Sequence, residues 1–300
     1  MTLDQADRLR DMVSNRAPVD FPEKLNSRVI AVSSGKGGVG KTNFTVNLAI
    51  FFQKQNKRVV VLDTDFGLAN VEILFGVFPK HNLSDVLTNS KTITEILTEG
   101  PMGIKFISAG SGIRELVNID ESQIVRLVDC IASLDSMFDI ILIDTGAGAS
   151  NAVVNFIKAA NEAIIITTPE PTAVTDAYSL IKTLCGESAG SETVWGGTEL
   201  KLVLNRVESR EEGIEIYEKL NRVTGRFLNV NLSYLGSLPD DNELVKSVKK
   251  QQQVAVAFPN SSFSKSMELI CGKLLNIPVQ TQTNMMSFVK RLIGVFGSRT

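Results

Sequence analysis

The sequence predicts an α/β protein in which a doubly wound, mostly parallel sheet is flanked by helices. Two observations predict this fold class. Short apolar runs rich in β-branched residues recur along the chain, as expected of strands that are covered on both faces. Segments of helical length separate most of these runs, and that alternation is typical of parallel strands joined by helical crossovers. With 300 residues, of which 43% are hydrophobic, the chain can bury a core of this size.

The predicted elements follow one another from residue 28 onward. The runs that predict strands are residues 28–33, 58–63, 104–110, 139–144, 162–168, 200–205 and 233–239. The helical segments between them include residues 41–55, 121–134, 149–160, 172–184 and 209–223. Because ligands bind at the carboxyl ends of the strands in such sheets, we expect the chemistry just after four of these strands. The functional residues are therefore expected directly after Ser33, Leu62, Ile143 and Leu204.

The chain is predicted to have three parts. Residues 1–27 contain a charged segment with helical spacing and a connector with two prolines, and they form an N-terminal appendage. Residues 28–279 form the α/β domain. Residues 280–300 form a polar linker and a C-terminal amphipathic helix.

The composition excludes several classes of protein. A net charge of −2 gives no support for a nucleic-acid-binding polyelectrolyte, so no nucleic-acid partner is expected. The three cysteines are far apart in the sequence, which indicates core thiols in a reducing compartment and no iron–sulfur cluster. The N-terminus lacks the pattern of a signal peptide, and no run approaches the roughly 20 apolar residues of a membrane span. We therefore expect a cytoplasmic protein that is not integral to a membrane.

A glycine-rich loop with two lysines follows the first predicted strand and opens the first predicted helix. Its sequence, GKGGVGKT, fits the phosphate-binding pattern G-x-x-x-x-G-K-[ST], which makes the predicted fold that of a P-loop NTPase. Glycines let backbone N–H groups surround phosphates, and the helix N-terminus adds the positive end of its dipole. We expect Lys41 to bind the β- and γ-phosphates and the Thr42 hydroxyl to ligate Mg²⁺.

Carboxylates at the ends of two other predicted strands complete the expected site. Asp144 ends a strand, and we expect it to hold Mg²⁺ directly or through water. Asp63 and Asp65 are spaced by one residue, and they would repel phosphates unless a metal ion or water lay between them. We assign Asp63 to the water shell of the metal and Asp65 to orientation of the attacking water.

The loop resembles that of the deviant Walker A ATPases, the MinD/ParA group. In that group the loop is K-G-G-x-G-K-[ST], which residues 36–42 match, and the resemblance covers residues 28 to about 276. It implies that two subunits close face to face around two ATP molecules, with each Lys36 reaching the phosphates in the partner's site. It also implies slow, Mg²⁺-dependent hydrolysis of ATP to ADP and phosphate, with Asp65, Lys36 and Lys41 as the catalytic residues.

The resemblance also implies how the base is bound. Asn205 and the region of Pro239 and Asp240 match the positions at which this group reads adenine. The guanine signature N-K-x-D is absent, since Arg206 follows Asn205. The implied ATP-binding residues are Gly35, Lys36, Gly37, Gly38, Val39, Gly40, Lys41, Thr42, Asn43, Asn205, Pro239 and Asp240.

The C-terminal segment, residues 285–296, has the pattern of an amphipathic helix that lies in a membrane interface. Lys290 and Arg291 are on its polar face. Because a dimer carries two such helices, it should bind lipid far better than a monomer, which predicts peripheral attachment to the cytoplasmic face of the membrane in the ATP state. The alternative is a helix that packs on the protein's own core. The predicted membrane-facing residues are Phe288, Val289, Leu292, Ile293, Val295 and Phe296.

The N-terminal segment resembles the motif D-Q-A-x-x-L-R, which the FlhG (YlxH) family carries ahead of its MinD-like domain. This resemblance implies control of flagellar number or placement, contact with flagellar C-ring proteins, and stimulation of the GTPase FlhF, with Gln5 helping to order the catalytic water. The open alternatives are a division-site MinD, a DNA-partitioning ParA-like motor and a non-hydrolysing scaffold. The residues that match the motif are Asp4, Gln5, Ala6, Leu9 and Arg10.

Overall fold

The computed structural model describes residues 27–65, 70–88, 90–108, 110, 133–186 and 198–276. The strands in this part of the chain are β1 (Arg28–Ser34), β2 (Val59–Thr64), β3 (Thr98–Glu99), β4 (Lys105–Ile107), β5 (Ile140–Ala147), β6 (Glu162–Thr167), β7 (Glu199–Val207) and β8 (Ser233–Pro239). The α-helices with described bounds are α1 (Lys41–Lys54), α2 (Asn70–Phe75), α3 (Leu83–Leu87), α4 (Ile93–Ile96), α5 (Asn151–Ala159), α6 (Pro171–Cys185), α7 (Arg210–Leu228), α8 (Asn242–Lys249), α9 (Val254–Ala257) and α10 (Ser262–Asn276).

The strands form one sheet in the order β3-β4-β2-β5-β1-β6-β7-β8. All neighbouring strands are parallel except β3 and β4, which are antiparallel. The doubly wound, mostly parallel sheet that the sequence predicts is therefore confirmed. The chain runs outward from β1 in both directions, so the carboxyl end of β1 is a point where the strand order reverses, which is where such sheets bind ligands.

Apolar side chains of the strands alternate between two cores, one on each face of the sheet. In β5, for example, Ile141 and Ile143 belong to one core, whereas Ile140 and Leu142 belong to the other. Helices α5, α6 and α7 cover the first core, and helices α1, α9 and α10 cover the second. Coverage on both faces explains why the central strands are apolar at successive positions rather than at every second one.

Three element boundaries differ from the predicted ones for local reasons. Strand β4 ends before Ser108, because the carbonyl of Ser108 accepts a hydrogen bond from the backbone N–H of Leu83 at 3.0 Å. Helix α5 begins after Ser150, whose side chain caps the helix by accepting from the N–H of Val153. Helix α7 continues beyond the predicted end at residue 223, and it ends where Asn229 adopts a left-handed conformation.

A buried ion network joins the amino ends of three strands, on the side of the sheet opposite the glycine-rich loop. Arg28 of β1 makes two hydrogen bonds to the carboxylate of Glu162 in β6, and Lys201 of β7 donates to the same carboxylate at 2.7 Å. Arg28 also donates to the carbonyl of Leu274 near the end of α10. The described domain therefore begins and ends at the same pole of the molecule.

Several predicted segments lie outside the described residues. These are the N-terminal appendage up to residue 26, the C-terminal linker and amphipathic helix, and most of the predicted helix 121–134. Residues 133 and 134 of that helix are described, and residues 133–137 are helical. Among the helices that the structure describes, none is both long and apolar enough to cross a bilayer.

Candidate nucleotide-binding site

The glycine-rich loop joins the carboxyl end of β1 to the amino end of α1, as predicted. The Ser34 hydroxyl donates to the carbonyl of Lys36 at 3.0 Å, which turns the chain immediately after the strand. Gly38 and Gly40 have positive φ angles of 80° and 94°, values that L side chains rarely adopt. The Gly40 carbonyl accepts from the N–H of Phe44 at 3.0 Å, so α1 starts directly from the loop.

Two neighbouring elements fix the shape of this loop by close approach. A Cβ atom on Gly35 would lie 2.2 Å from the backbone of Asp176 in α6, so the start of the loop lies directly against that helix. A Cβ atom on Gly40 would lie 2.4 Å from Nδ2 of Asn205, at the carboxyl end of β7. The same Nδ2 atom donates to the carbonyl of Val39 at 2.7 Å. The loop is therefore preorganised by α6 and β7.

The structure brings Lys41 and Thr42 together with Asp144. The hydroxyl of Thr42 donates to Oδ2 of Asp144 at 2.7 Å, and the hydroxyl of Thr45 donates to Oδ1 at the same distance. Nζ of Lys41 lies 3.1 Å from Oδ2, an ion-pair distance, but it has no hydrogen-bond partner. Lys41 and Asp144 are both buried.

This arrangement fits a nucleotide phosphate and a magnesium ion. A buried ammonium group with unused donors is costly unless an anion satisfies it, and a phosphate bound in the loop would do so. Asp144 and Thr42 supply hard oxygen atoms beside that phosphate position, which are the ligands that Mg²⁺ prefers. Lys41, Thr42 and Asp144 are therefore the residues that would hold the phosphates and the metal.

Asp63 is the second buried carboxylate at this edge of the sheet. It is the register partner of Asp144 on the neighbouring strand, and it accepts backbone N–H bonds from Asp65 and Val71, each at 3.0 Å. Burial, with the nearby Asp144 carboxylate as a smaller cause, raises the pKa of Asp63 to about 7. Asp63 therefore joins the end of β2 to the first turn of α2 through the N–H of Val71. Asp65 is the residue after β2, and it is half-buried.

The second lysine of the loop, Lys36, contacts helix α6. Its ammonium group donates to Oε2 of Glu170 at 2.9 Å and to the hydroxyl of Thr172 at 3.0 Å. Glu170 is the N-cap residue of α6, and Thr172 lies in the first turn of that helix. Lys36 and Glu170 are both exposed to solvent in part, with side-chain exposures of 39% and 59%.

The residues expected to recognise adenine lie at the same edge of the sheet. The buried side-chain amide of Asn205 holds the loop through Val39, and its oxygen accepts from the N–H of Arg206 at 3.0 Å. Pro239 ends β8 and Asp240 is exposed after it. Asn43 is half-buried in the first turn of α1.

Sequence reasoning missed Thr45, Glu170 and Thr172 as parts of the site. Thr45 lies one helical turn after Lys41, so its position on the same face of α1 as the phosphate lysine was a usable signal. Glu170 and Thr172 are more than 130 residues from Lys36 in the chain, and only the folded arrangement brings them to it.

The cysteines within the described residues do not form a metal site. Cys185 belongs to the core on one face of the sheet and Cys271 to the core on the other face. Burial raises the pKa of the Cys185 thiol to about 11 and that of the Cys271 thiol to about 12. Both thiols are therefore buried core side chains.

Comparison with known proteins places this site in a family. The ParA family model, described as NUBPL iron-transfer P-loop NTPase, matches residues 26–275. The chain is 38% identical to the antiactivator FleN of Pseudomonas aeruginosa, over 89% of this chain and 93% of FleN. It is 34% identical to the flagellum site-determining protein YlxH of Helicobacter pylori, over 98% of this chain and 99% of YlxH.

A solved structure supports the fold independently. The septum site-determining protein MinD of Pyrococcus horikoshii, complexed with Mg-ADP, superposes with a TM-score of 0.66 at 23% identity, covering 83% of this chain and 96% of that one. The chain belongs to the ParA family of P-loop NTPases and, within it, to the group that includes FleN and YlxH.

Proposed function

We propose that this chain is a MinD-like ATPase that regulates flagellar number or placement, and that it cycles between a monomer and an ATP-bound, membrane-attached dimer. The observation that carries the proposal is the cluster of Lys41, Thr42 and Asp144 at the end of a glycine-rich loop. The flagellar role is supported by the names of its relatives, an antiactivator and a flagellum site-determining protein.

The proposed chemistry assigns one task to each side chain. Lys41 binds the phosphates and offsets their charge, and Thr42 and Asp144 hold Mg²⁺, which neutralises the charge that develops on the phosphates. Asp65, half-buried directly after β2, orients the attacking water. Asp63 supports the metal's water shell. Hydrolysis is slow, because a single carboxylate positions the water.

Dimerisation depends on Lys36 in this proposal. Each Lys36 reaches the phosphates that the partner subunit binds, so that two subunits close around two ATP molecules. ADP lacks the γ-phosphate and does not hold the dimer together. The predicted amphipathic helix, residues 285–296, then attaches the dimer to the membrane through two helices at once.

The N-terminal segment is proposed to act on a partner enzyme. Residues 4–10 stimulate GTP hydrolysis by the flagellar GTPase FlhF, with Gln5 ordering the catalytic water. Contact with flagellar C-ring proteins belongs to the same proposal.

The Asp65→Ala variant tests the ATPase cycle. We expect it to bind ATP as the wild type does and to accumulate as a dimer, because hydrolysis no longer ends the dimeric state. Nucleotide binding and molar mass by light scattering measure the two properties, and Lys41→Ala is the control that loses binding. An Asp65→Ala protein that binds ATP and stays monomeric contradicts the proposal.

A synthetic peptide of residues 1–20 tests the activating segment separately. The peptide is expected to raise the GTP hydrolysis rate of FlhF, and the same peptide with Gln5→Ala is expected to leave the rate at its basal value. Equal stimulation by both peptides would exclude the role of Gln5.

A further inference from the structure

Lys36 contacts helix α6 of its own subunit in this structure, although its proposed role is to bind the phosphates that the partner subunit holds. Nζ of Lys36 is 2.9 Å from Oε2 of Glu170 and 3.0 Å from the hydroxyl of Thr172. An ammonium group has three donors, so these two partners leave it one. Because both acceptors lie on its own subunit, Lys36 has to leave them in order to extend across a dimer interface to a phosphate.

The contact is supported by the packing beneath it. Gly35, the residue before Lys36, lies so close to the backbone of Asp176 in α6 that a Cβ atom would not fit. The Lys36 carbonyl accepts from the hydroxyl of Ser34 at 3.0 Å, which fixes the backbone on the other side. The loop and the first turns of α6 therefore hold Lys36 opposite its two acceptors.

The charge of Glu170 favours the same arrangement. The hydrogen bond from Lys36 and its positive charge hold the pKa of the Glu170 carboxyl below its usual range, and Arg206 contributes in the same direction to a smaller extent. Glu170 is thus an anion under physiological conditions, and it competes with any phosphate for Lys36.

We propose that Glu170 and Thr172 hold Lys36 on its own subunit and thereby set the nucleotide concentration at which two subunits associate. This inference rests on the proposed ATP-dependent dimer. Glu170 and Thr172 are positioning residues in this scheme, since they act on the nucleotide of the partner only by restraining Lys36.

The strength of the contact suits a restraint that has to be released. Breaking one partly exposed ion pair lowers the equilibrium constant for subunit association by about 1.5- to 5-fold. A dimer releases two such contacts, so the combined effect is about 2- to 25-fold. A triphosphate carries several negative charges, and it can therefore outcompete one carboxylate for the ammonium group, whereas ADP offers fewer charges.

The restraint can be measured in the monomer by the reactivity of Lys36. Purified full-length protein without nucleotide is treated with formaldehyde and a borohydride reductant, and modification of each lysine is followed by mass spectrometry. We expect Glu170→Gln and Thr172→Val to raise the modification rate of Lys36, by about 1.5- to 5-fold for Glu170→Gln. The matched control is Glu215→Gln, which removes the same charge from the exposed pair of Glu215 with Lys219.

The control variant should raise the reactivity of Lys219 and leave that of Lys36 unchanged. Equal reactivity of Lys36 in the wild type and in Glu170→Gln would overturn the proposal, because it would mean that the carboxylate does not restrain the lysine. This readout does not depend on dimer formation, so it separates the restraint from the proposed function.

Association is then measured with a non-hydrolysable ATP analogue and analytical ultracentrifugation. The dimer takes up two analogue molecules, so the analogue concentration for half-maximal dimer changes as the square root of the association constant. It is expected to fall by about 1.5- to 5-fold in Glu170→Gln and to stay unchanged in Glu215→Gln. An unchanged or higher concentration in Glu170→Gln overturns the regulatory role. A wild type that binds the analogue and remains monomeric contradicts both the proposed dimer and this regulation of it.

Discussion

Asp63 and Asp144 are register partners on adjacent strands, yet different groups surround their carboxylates. Asp144 accepts from two hydroxyl groups and lies beside the ammonium group of Lys41. From the described residues, Asp63 accepts hydrogen bonds from backbone N–H groups alone, and burial raises its pKa to about 7. A cation near Asp63 would therefore favour the ionised form of its carboxyl group.

The raised pKa of Asp63 predicts a pH-dependent contribution to stability. Because the folded-state pKa lies above the unfolded value, the contribution is fully present below the unfolded pKa and is lost as the pH rises towards 7. The unfolding free energy of Asp63→Asn minus that of the wild type is therefore expected to increase by up to about 3 kcal/mol from pH 5 to pH 8. Urea titrations without nucleotide or Mg²⁺ measure this difference.

The control for this pH dependence is Asp139→Asn. The hydrogen bond from Arg58 lowers the pKa of the exposed Asp139 carboxyl, so this group stays ionised in both states throughout that pH range. The unfolding free energy of Asp139→Asn minus that of the wild type should therefore stay constant between pH 5 and pH 8. A flat difference for Asp63→Asn as well would show that the Asp63 carboxylate is not penalised by burial.

Individual site residues differed in how far they could be predicted from the sequence. Lys41, Thr42 and Asp144 were predicted to lie together, because a loop motif and a strand end fix their positions in the fold, and the structure brings them together. The partners of Lys36 were not predicted. Their position depends on how α6 packs against the loop, which no local pattern encodes.

At the scale of elements, helix α6 packs directly against the glycine-rich loop at Gly35. Gly35 is the glycine of this loop with the least room for a side chain. Gly35→Ala is expected to lower the free energy of unfolding by about 1–3 kcal/mol, because the added methyl group overlaps the helix backbone of α6. It should also weaken nucleotide binding, since the loop has to move. The midpoint of urea denaturation and the binding of a fluorescent nucleotide measure these effects.

Gly37→Ala is the matched control for that substitution. A Cβ atom on Gly37 would meet nothing within 4 Å, and the residue is not in the left-handed region. Its unfolding free energy should therefore stay within about 0.5 kcal/mol of the wild type. Equal stability of the two alanine variants would contradict the close packing of the loop on α6.

The sequence predicts a strand or a helix where the element is both apolar and long enough to show a hydrophobic pattern. The seven predicted strands all exist. Strand β3 and helices α2, α3 and α4 were not predicted, because β3 has only two residues and these helices have four to six, which is too few to show a hydrophobic period. Helix α10 is a different case. Its buried Phe263, Met267, Ile270 and Leu274 are at helical spacing, which is a pattern that predicts an amphipathic helix.

At the scale of the whole molecule, the proposed cycle links the nucleotide site to the predicted C-terminal amphipathic helix. In flotation with anionic liposomes, the wild type is expected to rise with ATP and to stay in solution with ADP. Phe296→Glu should stay down with either nucleotide, because it places a charge on the lipid-facing side of the helix.

Ser287→Glu controls for the charge itself, since it adds the same negative charge to the polar face of the same predicted helix. It should float with ATP. If the wild type floats with neither nucleotide, the helix packs on the protein's own domain and the attachment switch is wrong.

The bonds of Arg28 to Glu162 and to the carbonyl of Leu274 have a practical consequence. They bring residues 27 and 276 to one pole, and the glycine-rich loop lies at the other end of β1. A tether attached at either end of the domain would leave the nucleotide face turned towards bulk solution. A sensor chip or a fluorescent fusion can therefore report on nucleotide capture without the linkage itself shielding the loop.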